Sequence, residues 1–144
     1  MTATTTLIPG QTYHGEWKDI SLARLMTFSP HVVGSPDWPP VNHHTSRELA
    51  ERAGLKAPIA AGTQTASYVL ALLGQLLGAA WWSGGALDLR FLSPVYEGDR
   101  IRACAVLRSS AVEPFHAEFE VWCERDDLTK VAAGTATHTE SAGG

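Results

Sequence analysis

The sequence predicts an α+β fold: a single domain in which one long buried helix is wrapped by an antiparallel β-sheet. Three observations predict it. Between Gly62 and Gly78, the residues Ala66, Val69, Leu70, Leu73, Leu76 and Leu77 recur at helical spacing, and small or apolar residues fill the opposite side. A helix apolar all round is expected in a protein interior. Downstream, residues 86–91 set Leu87, Leu89 and Phe91 against Asp88 and Arg90, and residues 100–108 set Ile101, Ala103, Ala105 and Leu107 against Arg102, Cys104 and Val106. That alternation has the period of a strand, and residues 115–123 and 130–138 continue it. Finally, 144 residues suffice for one domain with a real core and are too few for two comfortable ones.

The remaining elements follow in chain order. Residues 1–12 are expected to be a flexible arm, residues 13–140 the folded domain and residues 141–144 a loose tail. Residues 13–20 suit a short strand. Residues 21–29 suit a short helix, with Leu22, Leu25 and Met26 on one face and Pro30 as its stop. Gly34, Pro36, Pro39 and Pro40 then require a stiff irregular loop up to His44. Thr45 or Ser46 can cap a short polar helix that Gly54 ends, with Leu49 and Ala53 expected inward. After the long helix, Trp81 and Trp82 suit core packing, and residues 83–85 a turn. Pro94 and residues 97–99 mark another turn, and residues 109–114 and 125–128 join the last strands. The result is a meander of at least four strands over the helix.

Composition narrows the function. A net charge of −4, with Lys and Arg scattered, gives no basic field for nucleic acid. The greasy stretch 66–82 is broken by Gln75 and two glycines, so no membrane span is expected, and the N-terminus lacks the basic start and apolar block of a secretory signal. A cytoplasmic protein is the expectation. Cys104 and Cys123 have neither disulfide nor metal-ligand spacing and suit core or interface positions.

Chemistry concentrates in residues 37–62. Asp37, Asn42, His43 and His44 precede the short helix, and Pro58 leads into Gly62 at the start of the long one. The first half offers proton-handling side chains. The second offers unpaired N–H groups at a helix N-terminus, where developing negative charge is stabilised. An acid/base group facing such donors is what chemistry beside a carbonyl requires. Set against this, a lone His at a helix entry is more commonly a backbone-bonding residue, and Asp37 and Asn42 also suit turns. His43, in an extended loop, would face away from His44.

Three patterns carry a family resemblance. His44 is followed by Ala50, Gly54 and then Pro58-Ile59-Ala60-Ala61-Gly62. Residues 91–99 read Phe-Leu-Ser-Pro-Val-Tyr-Glu-Gly-Asp. Residues 37–41 read Asp-Trp-Pro-Pro-Val. Together they resemble the hotdog-fold, MaoC-like acyl-CoA hydratase/dehydratase family: its catalytic His and P-I-x-x-G helix entry, its F-x-x-P-V-x-x-G-D turn and its D-x-N-P loop. The register of the loop is open. Alignment on Asp37 places Asn42 at the family's His; alignment on Ala50 and Pro58 selects His44, with Pro39 at the family's Asp and about two extra loop residues. The undisturbed distance to Gly62 favours His44.

The resemblance implies reversible addition of water across an α,β-unsaturated acyl thioester of coenzyme A or a carrier protein. His44 would handle protons, with Asp37 or Asn42 as partner. The Gly62 amide would stabilise the enolate-like oxygen, with Ala61 and Thr63 as co-donors, and Gln64 would line the substrate pocket. It implies no metal and no cofactor beyond the thioester carrier. The expected assembly is a homodimer or larger even oligomer, or a heterodimer with a second hotdog subunit. Two other readings stand beside it. One is a catalytically silent subunit, given the altered loop. The other is a thioesterase using Gln64 or Asn42 to direct water, although the H-G-G signature common in that group is absent.

Overall fold

The computed structural model describes residues 6–28, 34–38, 41–112 and 115–140. In order these form β1 (Thr12–His14), β2 (Lys18–Asp19), α1 (Leu22–Phe28), α2 (Arg47–Arg52), α3 (Gly62–Leu77), a 3-10 turn (Gly78–Ala80), α4 (Trp81–Gly84), β3 (Gly85–Phe91), β4 (Arg100–Val112), β5 (Phe115–Arg125) and β6 (Lys130–Thr139). The six strands make one antiparallel sheet in the order β1-β4-β5-β6-β3, with β2 also on β4. Residues 1–5, 29–33, 39–40, 113–114 and 141–144 are outside the described set. The expectations for the terminal tail, the Pro30 stop, and Pro39 and Pro40 therefore fall on undescribed residues.

Helix α3 packs on one face of the sheet. Tyr68, Val69, Leu72 and Leu73 meet Ile101, Ala103, Ala105 and Leu107 of β4, Phe119 and Val121 of β5, and Val131 and Ala136 of β6 in one buried cluster. The inward strand residues are those that the alternation selects, because side chains on successive strand positions point to opposite faces. At roughly 1.5–3 kcal/mol per fully buried large aliphatic or aromatic side chain, this single cluster dominates the driving force for folding.

Several local expectations are corrected. Residues 13–20 are not one strand: β1 and β2 both pair with β4, and residues 15–17 lie outside either strand although Gly15 still donates to the Ala103 carbonyl at 2.8 Å. Within residues 6–11, Gly10 donates to the Leu107 carbonyl at 2.9 Å, and Leu7 packs on the core. In α2 the inward residue is Ala50, fully buried, whereas Leu49 is half-buried and Ala53 is exposed. Ser46 is its cap, accepting from the Leu49 N–H, and Gly54 follows at φ +81. Trp81 is core, but Trp82 is 65% exposed, and the chain stays helical through Gly84 instead of turning at residues 83–85. The strands are not a simple meander either: β3 pairs with β6, at the far edge, while β4-β5-β6 alone run hairpin to hairpin. Alternation fixes which face a strand buries and carries no information on its neighbour.

The expectation that α3 is buried on every side also needs amendment. Thr63, Ala71 and Gln75 are exposed, and Ala66, Ser67, Leu70 and Gly74 are half-buried, so in one chain the helix covers its sheet face only. Among the described residues, no helix is long and apolar enough to cross a membrane.

Candidate active site

The N-terminus of α3 is built by two short segments running antiparallel. Ala60 donates to the Val95 carbonyl and Glu97 to the Pro58 carbonyl, both at 2.8 Å, with a bridge between Ile59 and Tyr96. The turn carrying Val95 is itself fastened. Asp99 Oδ2 accepts from the Tyr96 N–H at 2.8 Å and from Arg125 Nε at 3.2 Å, while Arg125 also donates to the Pro94 carbonyl at 2.6 Å and to Ser93. Gly98 sits at φ +93, a conformation that costs a residue with a Cβ and not glycine. The sequence pattern at residues 91–99 therefore has a physical purpose: it aims residues 58–60, and with them the start of α3.

At that start, Ala61 is the N-cap and lacks a capping side chain; its carbonyl receives the N–H groups of Gln64 and Thr65. Gly62 and Thr63 supply the first two helical N–H groups, which have no partner among the described residues and no acidic side chain in the first turn to satisfy them. The end of the helix dipole is thus available to an external oxygen. A cleft of about 400 Å³ opens beside it, lined by Ile59, Ala60, Gly62, Thr65, Phe91 and Val95 among others. Phe91 forms the wall over Gly62: a Cβ on Gly62 would come within 2.9 Å of its ring. Most of the lining is apolar, which suits an acyl group.

His44 is tied to the same segment. Its Nδ1 lies 2.7 Å from the Ile59 carbonyl oxygen. A carbonyl only accepts, so Nδ1 carries a proton, and of the two neutral tautomers the bond selects the one with Nε2 as the acceptor nitrogen. This is the tautomer a general base requires. The Ile59 N–H in turn points to the His43 carbonyl at 3.4 Å. His44 is therefore tied to Ile59, a residue of the cleft lining that stands three positions before Gly62 in the chain.

Asn42 serves the turn. Its Oδ1 accepts the His44 backbone N–H at 2.8 Å, its N–H donates to Thr45 Oγ1 at 3.1 Å, and its carbonyl receives the N–H groups of Thr45 and Ser46. Residues 42–45 are consequently a tight turn and not an extended loop. That corrects the expectation for His43: its ring lies 4.0 Å from that of His44, beside it and not on the far side. Asp37 is exposed and makes no recorded contact with His44 among the described residues. Gln64 is fully buried, donates through Nε2 to the Tyr68 hydroxyl at 3.0 Å and does not line the cleft. Thr63 is exposed, and Ser67 bonds back to the Gln64 carbonyl at 2.6 Å.

The structure ties His44 to Ile59, in the segment that leads into Gly62, while Asp37 is exposed and Gln64 is buried against Tyr68. Three contributors were not singled out from sequence: the Ile59 carbonyl, the Phe91 ring, and the Asp99–Arg125 pair. Only Phe91 and Asp99 had a sequence signal, as the ends of the residue 91–99 pattern. A backbone carbonyl has none.

Comparisons with known proteins follow this geometry. The family described as MaoC like domain matches residues 6–137. Comparison with curated proteins returns no match. Among solved structures, the chain is similar to an (R)-hydratase from A. caviae involved in PHA biosynthesis, at 24% identity and TM-score 0.72, covering 92% of this chain and 96% of that one. It is similar to R-hydratase PhaJ1 from Pseudomonas aeruginosa at 18% identity and TM-score 0.71, covering 96% and 89%. It is also similar to the HadBC (3R-hydroxyacyl-ACP dehydratase) complex from Mycobacterium tuberculosis at 17% identity and TM-score 0.60, covering 94% and 98%. At these identities the likeness establishes the hotdog architecture.

Proposed function

The chain belongs to the MaoC-like domain family, and from that membership we propose that it is a hydratase or dehydratase acting on an α,β-unsaturated acyl thioester, linked to coenzyme A or to an acyl carrier protein. The single observation that carries the proposal is the juxtaposition of His44, with Nδ1 committed to the Ile59 carbonyl, and the open N–H groups at Gly62. The names of the structural relatives, two hydratases and one dehydratase complex, support the same class.

In this reading the thioester oxygen accepts from the Gly62 N–H, with Thr63 and Ala61 as neighbouring donors. His44 Nε2 takes a proton from water as its oxygen bonds to the β-carbon. The C=C electrons move toward the carbonyl, where the helix N-terminus stabilises the enolate-like charge. The imidazolium then returns the proton to the α-carbon, and dehydration is the reverse. The acyl chain rests against Phe91 and Val95, and no metal or redox group takes part.

Assembly belongs to the proposal. Among the described residues strand β3 has a single neighbour, β6, and beside its other edge Phe91 and Leu92 are each 57% exposed. Together with the uncovered face of α3, this edge supports pairing with a second hotdog chain, identical or not, that completes the cleft. The experiment is hydration of crotonyl-CoA by the purified chain, with thiol release measured in parallel. Loss of the conjugated thioester without free thiol supports hydration; thiol release would instead place the protein among thioesterases.

One observation favours a second reading. Among the described residues no carboxylate accompanies His44, Asp37 being exposed, as a subunit that relies on a partner's acid would allow. Inactivity of the chain alone, restored by a co-expressed hotdog partner, would select that reading; full activity of the chain alone would exclude it.

A further inference from the structure

The sheet face turned away from α3 carries a second cluster of reactive side chains. His14 pairs directly with Cys104 across β1 and β4, and Cys104 with Trp122 across β4 and β5, two positions along the register and so on the same face as the Arg102–Glu124 pair. Directly opposed strand residues project to the same face, so three neighbouring strands deliver an imidazole, a thiol and a carboxylate to one point. One ligand atom from each of His14, Cys104 and Glu124 lies within 4.8 Å of the others, and His14 Nδ1 is 3.3 Å from Cys104 Sγ. Cys104 and Glu124 are buried and His14 is exposed.

We propose that His14, Cys104 and Glu124 form a site for a divalent transition metal of the zinc class, separate from His44 and Gly62. The geometry suits it. Bonds of about 2.0 Å to nitrogen and about 2.3 Å to sulfur at a tetrahedral angle separate the two donors by about 3.5 Å, against the 3.3 Å of His14 and Cys104. The mixed nitrogen, sulfur and oxygen set selects zinc-like ions over magnesium or calcium. Exposed His14 provides the route of entry, and three protein ligands leave the fourth position to water.

Arg102 is the feature that must be reconciled with a cation. It donates to Glu124 Oε1 through both Nε at 3.0 Å and Nη2 at 2.9 Å, while Trp122 Nε1 donates to Glu124 Oε2 at 2.9 Å. A carboxylate offers about four lone-pair directions; Arg102 takes both on Oε1 and Trp122 one on Oε2, so Oε2 retains the direction for the ion. The dication, one thiolate and one carboxylate sum to zero charge, so Arg102 faces a neutral centre. It also rests 4.4 Å over the Trp17 ring, which holds it independently of Glu124. Arg102 and Trp122 then act as the outer partners that orient the Glu124 ligand. Binding forms the metal–sulfur bond and releases the Cys104 proton to solvent, with no change of oxidation state. The ion would fasten β1, a strand of three residues, to the centre of the sheet.

The test is titration of the metal-free full chain with Co²⁺, read by absorbance, and with Zn²⁺, read by thermal unfolding. The expected result is a thiolate-to-cobalt charge-transfer band saturating at one equivalent, displaced by Zn²⁺, and a melting temperature that rises with Zn²⁺. C104S removes the band, and H14A and E124Q weaken binding by about tenfold or more. His14 is exposed, so H14A keeps the test informative if C104S fails to fold. Absence of a thiolate band at excess Co²⁺, its persistence in C104S, or undiminished affinity in both H14A and E124Q would overturn the proposal. Neither variant touches the cleft, so crotonyl-CoA turnover separates this result from the fate of the hydratase reading.

Discussion

Replacing His44 in two different ways separates its structural bond from its chemical task. The ring makes one recorded side-chain hydrogen bond, Nδ1 to the Ile59 carbonyl at 2.7 Å, in a half-buried setting. H44A removes that bond and the Nε2 acceptor together. A bond of this kind contributes about 1 kcal/mol, which for a domain of this size lowers the melting temperature by about 3 °C. H44N places an amide N–H near the position of Nδ1–H and keeps the bond, but has no acceptor at the Nε2 position. A positioned acid/base group is worth about 10²–10⁴-fold in rate, or about 3–5 kcal/mol of barrier. Both variants are therefore expected to lose crotonyl-CoA hydration by that factor, while only H44A loses stability. The assay is the decay of conjugated-thioester absorbance in the assembly in which the wild type turns over, with thermal unfolding alongside. If H44N retained activity within about threefold of wild type, the role assigned to Nε2 would be refuted.

Other outcomes follow from the same structure. In G62A the new Cβ would meet the Phe91 ring at 2.9 Å, and that ring is 57% exposed and free to swing aside; stability should change by less than about 1 kcal/mol, while a displaced cleft wall lowers kcat/KM by about 10²-fold. His138 is 2% exposed, and its Nδ1 is buried without a partner among the described residues, beside the aromatic rings of Trp81 and Phe115. H138L removes an unsatisfied polar atom and is expected to stabilise by about 1 kcal/mol in denaturant titration; a loss of stability would show that the imidazole is satisfied in solution. Burial in the core, with Cys104 and Glu124 adding, pushes the Cys123 thiol up to about 12 from an ordinary 9.0. The folded chain then holds that proton where the unfolded chain has released it, so the contribution is complete below pH 9 and is lost as pH rises toward 12, by about 1.4 kcal/mol per unit. Burial pushes the Cys104 thiol up to about 12 as well, so C123A should reduce the slope of that segment without abolishing it, and an unchanged slope would assign it to other groups.

The elements were legible because each rests on a local signal. The spacing from Val69 to Leu77 forms α3, the alternation from Ile101 to Leu107 forms β4, Ser46 caps α2, and Gly54 and Gly78 end helices at positive φ. The spacing from His44 to Gly62 was legible too, since the whole of α2 lies between them at undisturbed length. Pairing was not. That β3 crosses to β6 depends on how residues 92–99 return the chain, through the Asp99–Arg125 pair, and no pattern within β3 records it. The directions of His43, Asp37 and Gln64 escaped for the same reason: a turn at Asn42 aligns two rings that an extended chain would oppose, and Gln64 reaches inward to Tyr68, past the cleft.

Residue order alone was enough to establish an α+β domain with a buried helix, the family it resembles, and the two ends of a reactive stretch, His44 and Gly62. Periodicity, capping and motif spacing are short-range properties, and a chain carries them openly. Tertiary structure decided the rest: that His44 presents Nε2 because the Ile59 carbonyl takes Nδ1, that Phe91 walls the oxyanion end, and that His14, Cys104 and Glu124 meet on the opposite face. Each of those facts is a contact between segments far apart along the chain. Such contacts exist only after burial of the common core fixes the register of the strands, and the energy that selects them belongs to the assembled sheet and not to any one segment of it.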